Sequence, residues 1–207
     1  MMIGILALQG AFAEHQKILE VLGQRTLLVK KPSQLKVIEG LVFCGGESTT
    51  IALLLKKYDF LKPLEDFVKN HPVLATCAGL IVLAKEVKGG KTCLPVLDVS
   101  VKRNAFGRQY DSFEENLDIV LLGSKPYPAT FIRAPWIEKA GNDVDVLARY
   151  QKNIVAVKQG NIIGTSFHPE LTKDTRFHQY FISLVRVKDK EAKSNKSFNQ
   201  QLITNNQ

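Results

Sequence analysis

Val73-Leu74-Ala75-Thr76-Cys77-Ala78-Gly79-Leu80 is an apolar run that stops at a cysteine set among small residues. Val73–Ala75 reads as a short buried strand, and the stretch from Cys77 to about Glu86 as a helix. A strand that turns into a helix at a cysteine has the form of a nucleophile elbow, in which the tight turn lifts the side chain out of the sheet. A helix N-terminus beneath the sulfur favours the attacking thiolate. The N–H of Ala78 would point to where an oxyanion develops. Against this, the usual elbow has glycine two residues before the nucleophile, and this chain has Ala75. A cysteine at a strand end is also more often a small buried hydrophobe. Cys77 alone leaves both readings open.

The surrounding pattern supplies the sheet. Upstream, Ile3–Leu8 is a strand ending in Gln9-Gly10, and Phe12–Leu22 a helix with Phe12, Ile18, Leu19 and Leu22 apolar and Gly23 as its stop. Thr26–Val29 and Leu41–Cys44 read as strands, Ser48–Tyr58 and Leu61–Lys69 as helices. Strands alternating with helices give a parallel sheet covered on both faces. Downstream, Val96–Lys102, Leu117–Leu122, Ala129–Ile132, Val144–Arg149, Ile154–Lys158 and Ile162–Ser166 read as strands. They include antiparallel hairpins, with Gly160-Asn161 as the last turn. A helix from about Asp174 to Val187 closes the pattern. The expected fold is α/β and three-layered: a central, mostly parallel sheet, helices on both faces, and some antiparallel strands in the C-terminal half. It forms a single domain over residues 1–187, and the polar tail at 188–207 is expected to be disordered.

Composition narrows the class. With 207 residues, 45% of them hydrophobic and 23% charged, the chain suits one well-cored globular domain. No apolar run is long enough to span a bilayer, and MMIGILALQGAF lacks the features of a signal peptide. Three cysteines, Cys44, Cys77 and Cys93, form no secreted framework, so free thiols in a reducing cytoplasm are expected. The net charge of +8 comes with no nucleic-acid-binding signature; a solvated surface is the favoured reading, and a basic face for a phosphorylated substrate or an acidic partner stays open. Neither the cysteines nor the four histidines have metal-ligand spacing, so no metal and no cofactor are expected.

A thiol nucleophile needs a base and a group that orients the base. His168 stands in Ser166-Phe167-His168-Pro169-Glu170, just past the last strand. Pro169 keeps His168 extended, and in extended chain positions i and i+2 project to the same side, so Glu170 can reach the imidazole. Taken alone, a surface strand end with an incidental His and Glu is the commoner explanation. Of the other histidines, His71 suits a loop and His178 a partly packed place on the closing helix. His15, on the first helix, suits a structural or interface role better than catalysis. Phe43-Cys44-Gly45-Gly46-Glu47-Ser48-Thr49-Thr50 places two glycines at a strand end and Ser48 as N-cap of the next helix. A phosphate loop, a second oxyanion donor facing Cys77 and a plain turn are all compatible with it, although the Walker lysine is missing.

Taken together, these pieces narrow the choice. GGESTT, TCAGL and SFHPEL, in this order and at these separations, resemble the class I (triad) glutamine amidotransferases. More narrowly, LALQGAFAEH, GGESTT, RNAFGRQYDSFE and FIRAP resemble the glutaminase subunits of pyridoxal 5'-phosphate synthase, over nearly all of the chain up to Val187. The resemblance implies Cys77 as nucleophile, His168 as general base and acid, and Glu170 as third triad member. It implies an oxyanion hole from Gly46 and Ala78, and glutamine contacts from Gly46, Glu47, Ser48, Arg103, Ile132 and Arg133. A guanidinium suits the carboxylate of glutamine, which it can clasp in a fork. The implied activity is hydrolysis of L-glutamine to glutamate and ammonia, with the ammonia passed to a synthase subunit in a hetero-oligomer that activates the glutaminase. Nucleic acid and membrane are not among the implied partners. A glutaminase serving a histidine or nucleotide pathway would share the triad, and a cysteine hydrolase of another α/β family would share the elbow. Two departures stand out: Cys44 replaces the family's proline before the glycines, and Gly89–Pro95 lacks its glycine-leucine pattern.

Overall fold

The computed structural model of the protein describes residues 1–105 and 112–204; positions 106–111 of the Arg103–Glu114 block and 205–207 of the tail lie outside the described residues. In chain order the elements are β1 (Met2–Leu6), α1 (Phe12–Val21), β2 (Arg25–Val29), β3 (Gly40–Phe43), α2 (Ser48–Lys57) and α3 (Leu61–Asn70). Then come β4 (Val73–Thr76), α4 (Ala78–Leu83), β5 (Ala84–Lys88), β6 (Leu97–Lys102), β7 (Ser112–Leu117) and β8 (Tyr127–Ile132). The chain finishes with β9 (Trp136–Ala140), β10 (Asp145–Tyr150), β11 (Asn153–Gln159), β12 (Ile162–Thr165) and α5 (Arg176–Thr204).

The main sheet runs in the order β2-β1-β3-β4-β12-β11-β9-β6-β5, with β10 added beside β11. From β2 to β12 every pairing is parallel. The antiparallel pairings follow in the C-terminal half, at β12–β11, β11–β9 and β9–β6. Strand alternation sends successive side chains to opposite faces. Leu41, Phe43, Val73 and Ala75 pack on one face under α2, α3 and α4. Val42 and Leu74 pack on the other, against Leu19 of α1 and Phe181 and Val185 of α5. Helices therefore cover both faces of a mostly parallel α/β sheet. No helix among the described residues is long and apolar enough to cross a membrane.

Four local expectations change. The helix after Cys77 stops at Leu83 instead of Glu86, because Ala84–Lys88 pairs in parallel with β6 as an edge strand. Val82, Leu83, Ala84 and Val87 are all buried, and their spacing does not alternate as a half-exposed strand would, so the pattern did not decide between helix and strand. Leu117–Leu122 is not one strand: β7 ends at Leu117, and Val120–Leu122 forms a 3-10 turn. β7 pairs with β8 in a separate two-stranded sheet. Trp136–Ala140 is an additional strand that bridges β6 and β11. Finally, the backbone stays helical from Arg176 to Thr204, well past Val187. That stretch contains no glycine or proline, and Lys188–Glu191 and Asp189–Lys193 pair along the helix.

Register sets up the functional end. β3, β4 and β12 lie side by side with Phe43 opposite Ala75 and Thr76 opposite Thr165. Their C-terminal ends, with that of β1, release four loops at one edge of the sheet. Such an edge is the usual place for a site in an open parallel sheet.

Candidate active site

Cys77 follows β4 directly, with φ 47° and ψ −101°, a left-handed conformation that costs a non-glycine residue of order 1–3 kcal/mol. The turn is held from below: Cys77 N donates to Thr165 O at 2.8 Å. Gly79 lets α4 sit against the end of β3, since a Cβ there would stand 2.2 Å from Phe43 O. Ala78 is the first residue of α4, so its N–H has no acceptor within the helix.

His168 comes from the loop after β12, its backbone fixed by donation to Thr130 O of β8 at 2.8 Å. Its Nδ1 is 2.7 Å from Glu170 Oε1, which leaves the other ring nitrogen for Cys77. Both residues are buried. Burial alone would pull the imidazole's pKa down, but the Cys77 thiol and the Glu170 carboxylate outweigh it and hold His168 at about 10. Burial would push Glu170 up, but the His15 and His168 imidazoles hold it far below the usual carboxylate range. Cys44 lies on the opposite course: burial, then the nearby Glu170, pushes its thiol well above the usual value. Of these two buried thiols, Cys77 is the one that faces an imidazole.

The glycine loop closes over this pair. A Cβ on Gly45 would lie 2.5 Å from His168 Cε1 and 3.4 Å from Cys77 Cβ, so only glycine fits between them. Gly45 N donates to Thr76 Oγ1 at 2.9 Å and Glu47 N to Gln9 Oε1 at 2.7 Å. Gly46 N, between them, has no acceptor among the described residues. The N-cap of α2 is Glu47, not Ser48, which is the first helical residue. Both Glu47 oxygens accept from the helix start, at Thr49 N and Thr50 N. Against the upward pull of burial, these bonds hold the Glu47 carboxyl at about 2. Arg103 Nη2 reaches the same carboxylate at 3.2 Å.

Cys77, Ala78 and His168 line one cavity of about 350 Å³. Gly46, Glu47 and Ser48 form one wall, and Arg103, Ile132 and Arg133 another. Every candidate except Glu170 opens on it, and Glu170 stands behind His168. The sequence reading left Ile81 and Asn104 out of the site, yet both line it, as does Gln9, which the resemblance implies lies near the oxyanion loop. Asn104 and Arg133 share with Cys77 a positive φ, at 45° and 41°. Their loops are tied together by Ala105 N donating to Ala134 O at 3.1 Å. Three strained residues around one cavity are a backbone mark of function that no residue pattern reveals.

This geometry can be compared with known proteins. The model of the SNO glutamine amidotransferase family matches residues 5–187. The chain belongs to this family. Pyridoxal 5'-phosphate synthase subunit PdxT of Pelotomaculum thermopropionicum is 52% identical over 184 residues, 88% of this chain and 94% of that one. The subunit of the same name from Herpetosiphon aurantiacus is 49% identical over 190 residues, 89% of this chain and all of that one (100%). A solved glutamine amidotransferase structure superposes with a TM-score of 0.84 at 43% identity, covering 88% of this chain and 98% of that one.

The buried pair of this family member should show in its stability. The Glu170 pKa is lowered on folding, so its contribution is full above the unfolded value of 4.5 and is lost as pH falls below it. His168 has the opposite sign: raised from 6.5 to about 10, its contribution is full below 6.5 and fades as pH rises toward 10. Glu170→Gln should therefore cost about 3 kcal/mol at pH 6. The difference from the parent should shrink at pH 4. Urea midpoints at the two values measure it, and an equal difference at both would contradict the assignment.

Proposed function

We propose that the chain is the glutaminase subunit of a pyridoxal 5'-phosphate synthase, acting in the cytoplasm. It hydrolyses L-glutamine to L-glutamate and ammonia and passes the ammonia to a synthase subunit for vitamin B6 biosynthesis. The observation that carries this reading is the arrangement of Cys77, His168 and Glu170 at adjacent strand ends, with His168 Nδ1 2.7 Å from Glu170 and the thiol opening on the cavity. The relatives' shared name supports the choice of synthase.

In this mechanism the Cys77 sulfur attacks the carboxamide carbon of glutamine while its proton resides on His168. The developing oxyanion takes N–H donors from Ala78 and Gly46, each worth about 3 kcal/mol in comparable sites. His168 hands its proton to the departing nitrogen, ammonia leaves, and a Cys77 thioester of glutamate remains. His168 then accepts a proton from water as the water attacks, and glutamate is released. Glu170 keeps Nδ1–H of His168 directed at itself, so the reacting nitrogen always faces the sulfur.

Glutamine's α-carboxylate and α-ammonium would meet Arg103, Arg133 and Glu47 at the cavity rim, with Ser48 and Ile132 shaping the walls. Arg103 is already half engaged by Glu47, which keeps its guanidinium oriented toward the cavity. Glutamate release with and without the purified synthase subunit tests the proposal. Stimulation by that subunit of at least about tenfold is expected, the scale of a coupling of 1–3 kcal/mol. Stimulation by a different amidotransferase synthase instead would reassign the pathway, and no glutamate in any combination would refute the activity.

A further inference from the structure

Glutamine hydrolysis uses one oxygen of Glu170, and the other points away from the cavity toward a second pair of histidines. His15 of α1 and His178 of α5 are both fully buried, at 0% exposure, an uncommon state for histidine outside a functional network. His15 Nε2 is 3.2 Å from Glu170 Oε2 and 3.4 Å from Thr76 Oγ1. His15 Nδ1 is 3.0 Å from His178 Nε2. His178 Nδ1 has no hydrogen-bond partner among the described residues. The helices on one face of the sheet thus bring two imidazoles in line behind the carboxylate: His178, His15, Glu170, His168, Cys77.

We propose that His15 is a positioning residue for the His168–Cys77 pair, and that His178 selects the His15 tautomer that makes this possible. The proposal rests on Cys77 and His168 being the reacting groups.

Proton placement along the line is constrained from both ends. A carboxylate only accepts, so His168 must direct Nδ1–H at Glu170 Oε1; a bare lone pair on His15 Nε2, 3.2 Å from Oε2, would repel it, so Nε2 carries the proton and donates to Thr76 Oγ1 at 3.4 Å. Burial pushes His178 down to about 3, so His178 is neutral and carries a single ring proton. If that proton were on Nδ1, a donor would be orphaned in the interior. On Nε2 it is donated to His15 Nδ1, and only a lone pair is left without a partner. His15 Nδ1 is thereby made the acceptor and Nε2 the donor. Glu170 Oε1 is bonded to His168, and His15 Nε2 stands 3.2 Å from Oε2 as an electrostatic contact, which favours the carboxylate orientation that keeps Oε1 on His168. Thr76 adds a branch, because its hydroxyl oxygen also accepts from Gly45 N at 2.9 Å. His15 is therefore hydrogen-bonded to the side chain that holds the glycine loop and stands within ion-pair distance of the orienting carboxylate.

The groups that face His15 are Glu170, Thr76 and His178, with Glu14 beside it in sequence on α1. Among the described residues, Glu170 alone offers it an anion within ion-pair distance.

Two replacements separate a hydrogen-bond role from simple packing. His15→Gln keeps an N–H donor near the position of Nε2, and His15→Leu keeps the bulk without the donor. The measurements are kcat and KM for glutamate release with the synthase subunit present, and the pH profile of iodoacetamide alkylation at Cys77, located by mass. His15→Leu should lower kcat by about 10- to 100-fold, as loss of an orienting outer partner does elsewhere, with KM changed less than about twofold. Its Cys77 alkylation profile should move by about one pH unit or more, because the imidazole partner of the sulfur is no longer fixed. His15→Gln should recover most of both losses, and His178→Leu should shift the profile in the same direction by a smaller step. If His15→Leu does not fold, His15→Gln and His178→Leu decide: an unshifted profile in His178→Leu overturns the relay. Equal loss in the Gln and Leu variants, or an unchanged kcat and profile in His15→Leu, also overturns it. Alkylation does not require glutamine turnover. A shifted profile in a protein that releases no glutamate would sink the glutaminase reading and leave the positioning role standing.

Discussion

Cys77→Ala is expected to abolish glutamate release, with kcat down by at least about 10³-fold even in the presence of the synthase subunit. The size of the effect follows from what the site lacks without sulfur. Cys77 is the one thiol facing both the cavity and an imidazole, since Cys44 is 1% exposed and packed under α5. Cys93 does not line this cavity and opens on a neighbouring pocket instead. Glu170 and His168 remain after the substitution, but they hold a proton acceptor with no nucleophile to activate. Water would have to replace the sulfur in a cavity shaped for a residue on a left-handed turn. Stability should move little. A buried thiol becomes a methyl group, and the strained φ of 47° is no worse for alanine than for cysteine. A thermal midpoint within a few degrees of the parent, together with glutamate release at background, is the expected pair of readings. Retained release in a folded Cys77→Ala protein would end the thioester mechanism.

Much of this site was legible before any coordinates because its parts are short-range. The elbow is written in Val73–Leu80, where an apolar run meets a cysteine among small residues, and the i, i+2 relation of His168 and Glu170 needs only an extended chain. The parallel half of the sheet was legible for the same reason: strand and helix alternate with clear stops, and β3, β4 and β12 need only be neighbours for the three loops to meet. What stayed hidden depends on long-range pairing. Ala84–Lys88 has no helix-forbidding residue, and only its partner β6 makes it a strand. Trp136–Ala140 likewise acquires its state from β6 and β11. The N-cap moved by one residue because Glu47 reaches two helix amides, which a preference for serine at that position does not anticipate.

His15 marks where local reading stops. It lies three residues after Phe12 and four before Leu19, on the inward stripe of α1, so helical periodicity alone places a polar side chain in the core. A buried polar group is the informative exception in such a stripe. Its partner could not be read, however, because Glu170 lies 155 residues away and meets it only through the packing of α1 over the strand ends.

The approach of α1 to the glycine loop yields the second large effect, at Gly10. Its φ is +116°, and a Cβ built on it would stand 1.9 Å from Gly45 O and 3.0 Å from Gly45 C. Those are backbone atoms, so no side-chain rotation can relieve the clash. The same carbonyl accepts from Ala11 N at 3.0 Å, so moving it also breaks the bond that joins the start of α1 to the loop. Gly10→Ala must therefore displace Gly45-Gly46, and with them the Gly46 N–H assigned to the oxyanion. Loss of one such donor lowers kcat by about 10²- to 10³-fold. Gly23 provides the control. It also has a positive φ, +72°, but a Cβ there meets nothing within 4 Å. Gly23→Ala should cost about 1 kcal/mol of stability through backbone strain and leave glutamate release unchanged. Urea midpoints and kcat for the two variants separate strain from displacement: both proteins lose stability, and only Gly10→Ala loses turnover. Were Gly10→Ala to hydrolyse glutamine at the parental rate, the glycine loop would be free of α1, and the oxyanion site would have to be built from Ala78 alone.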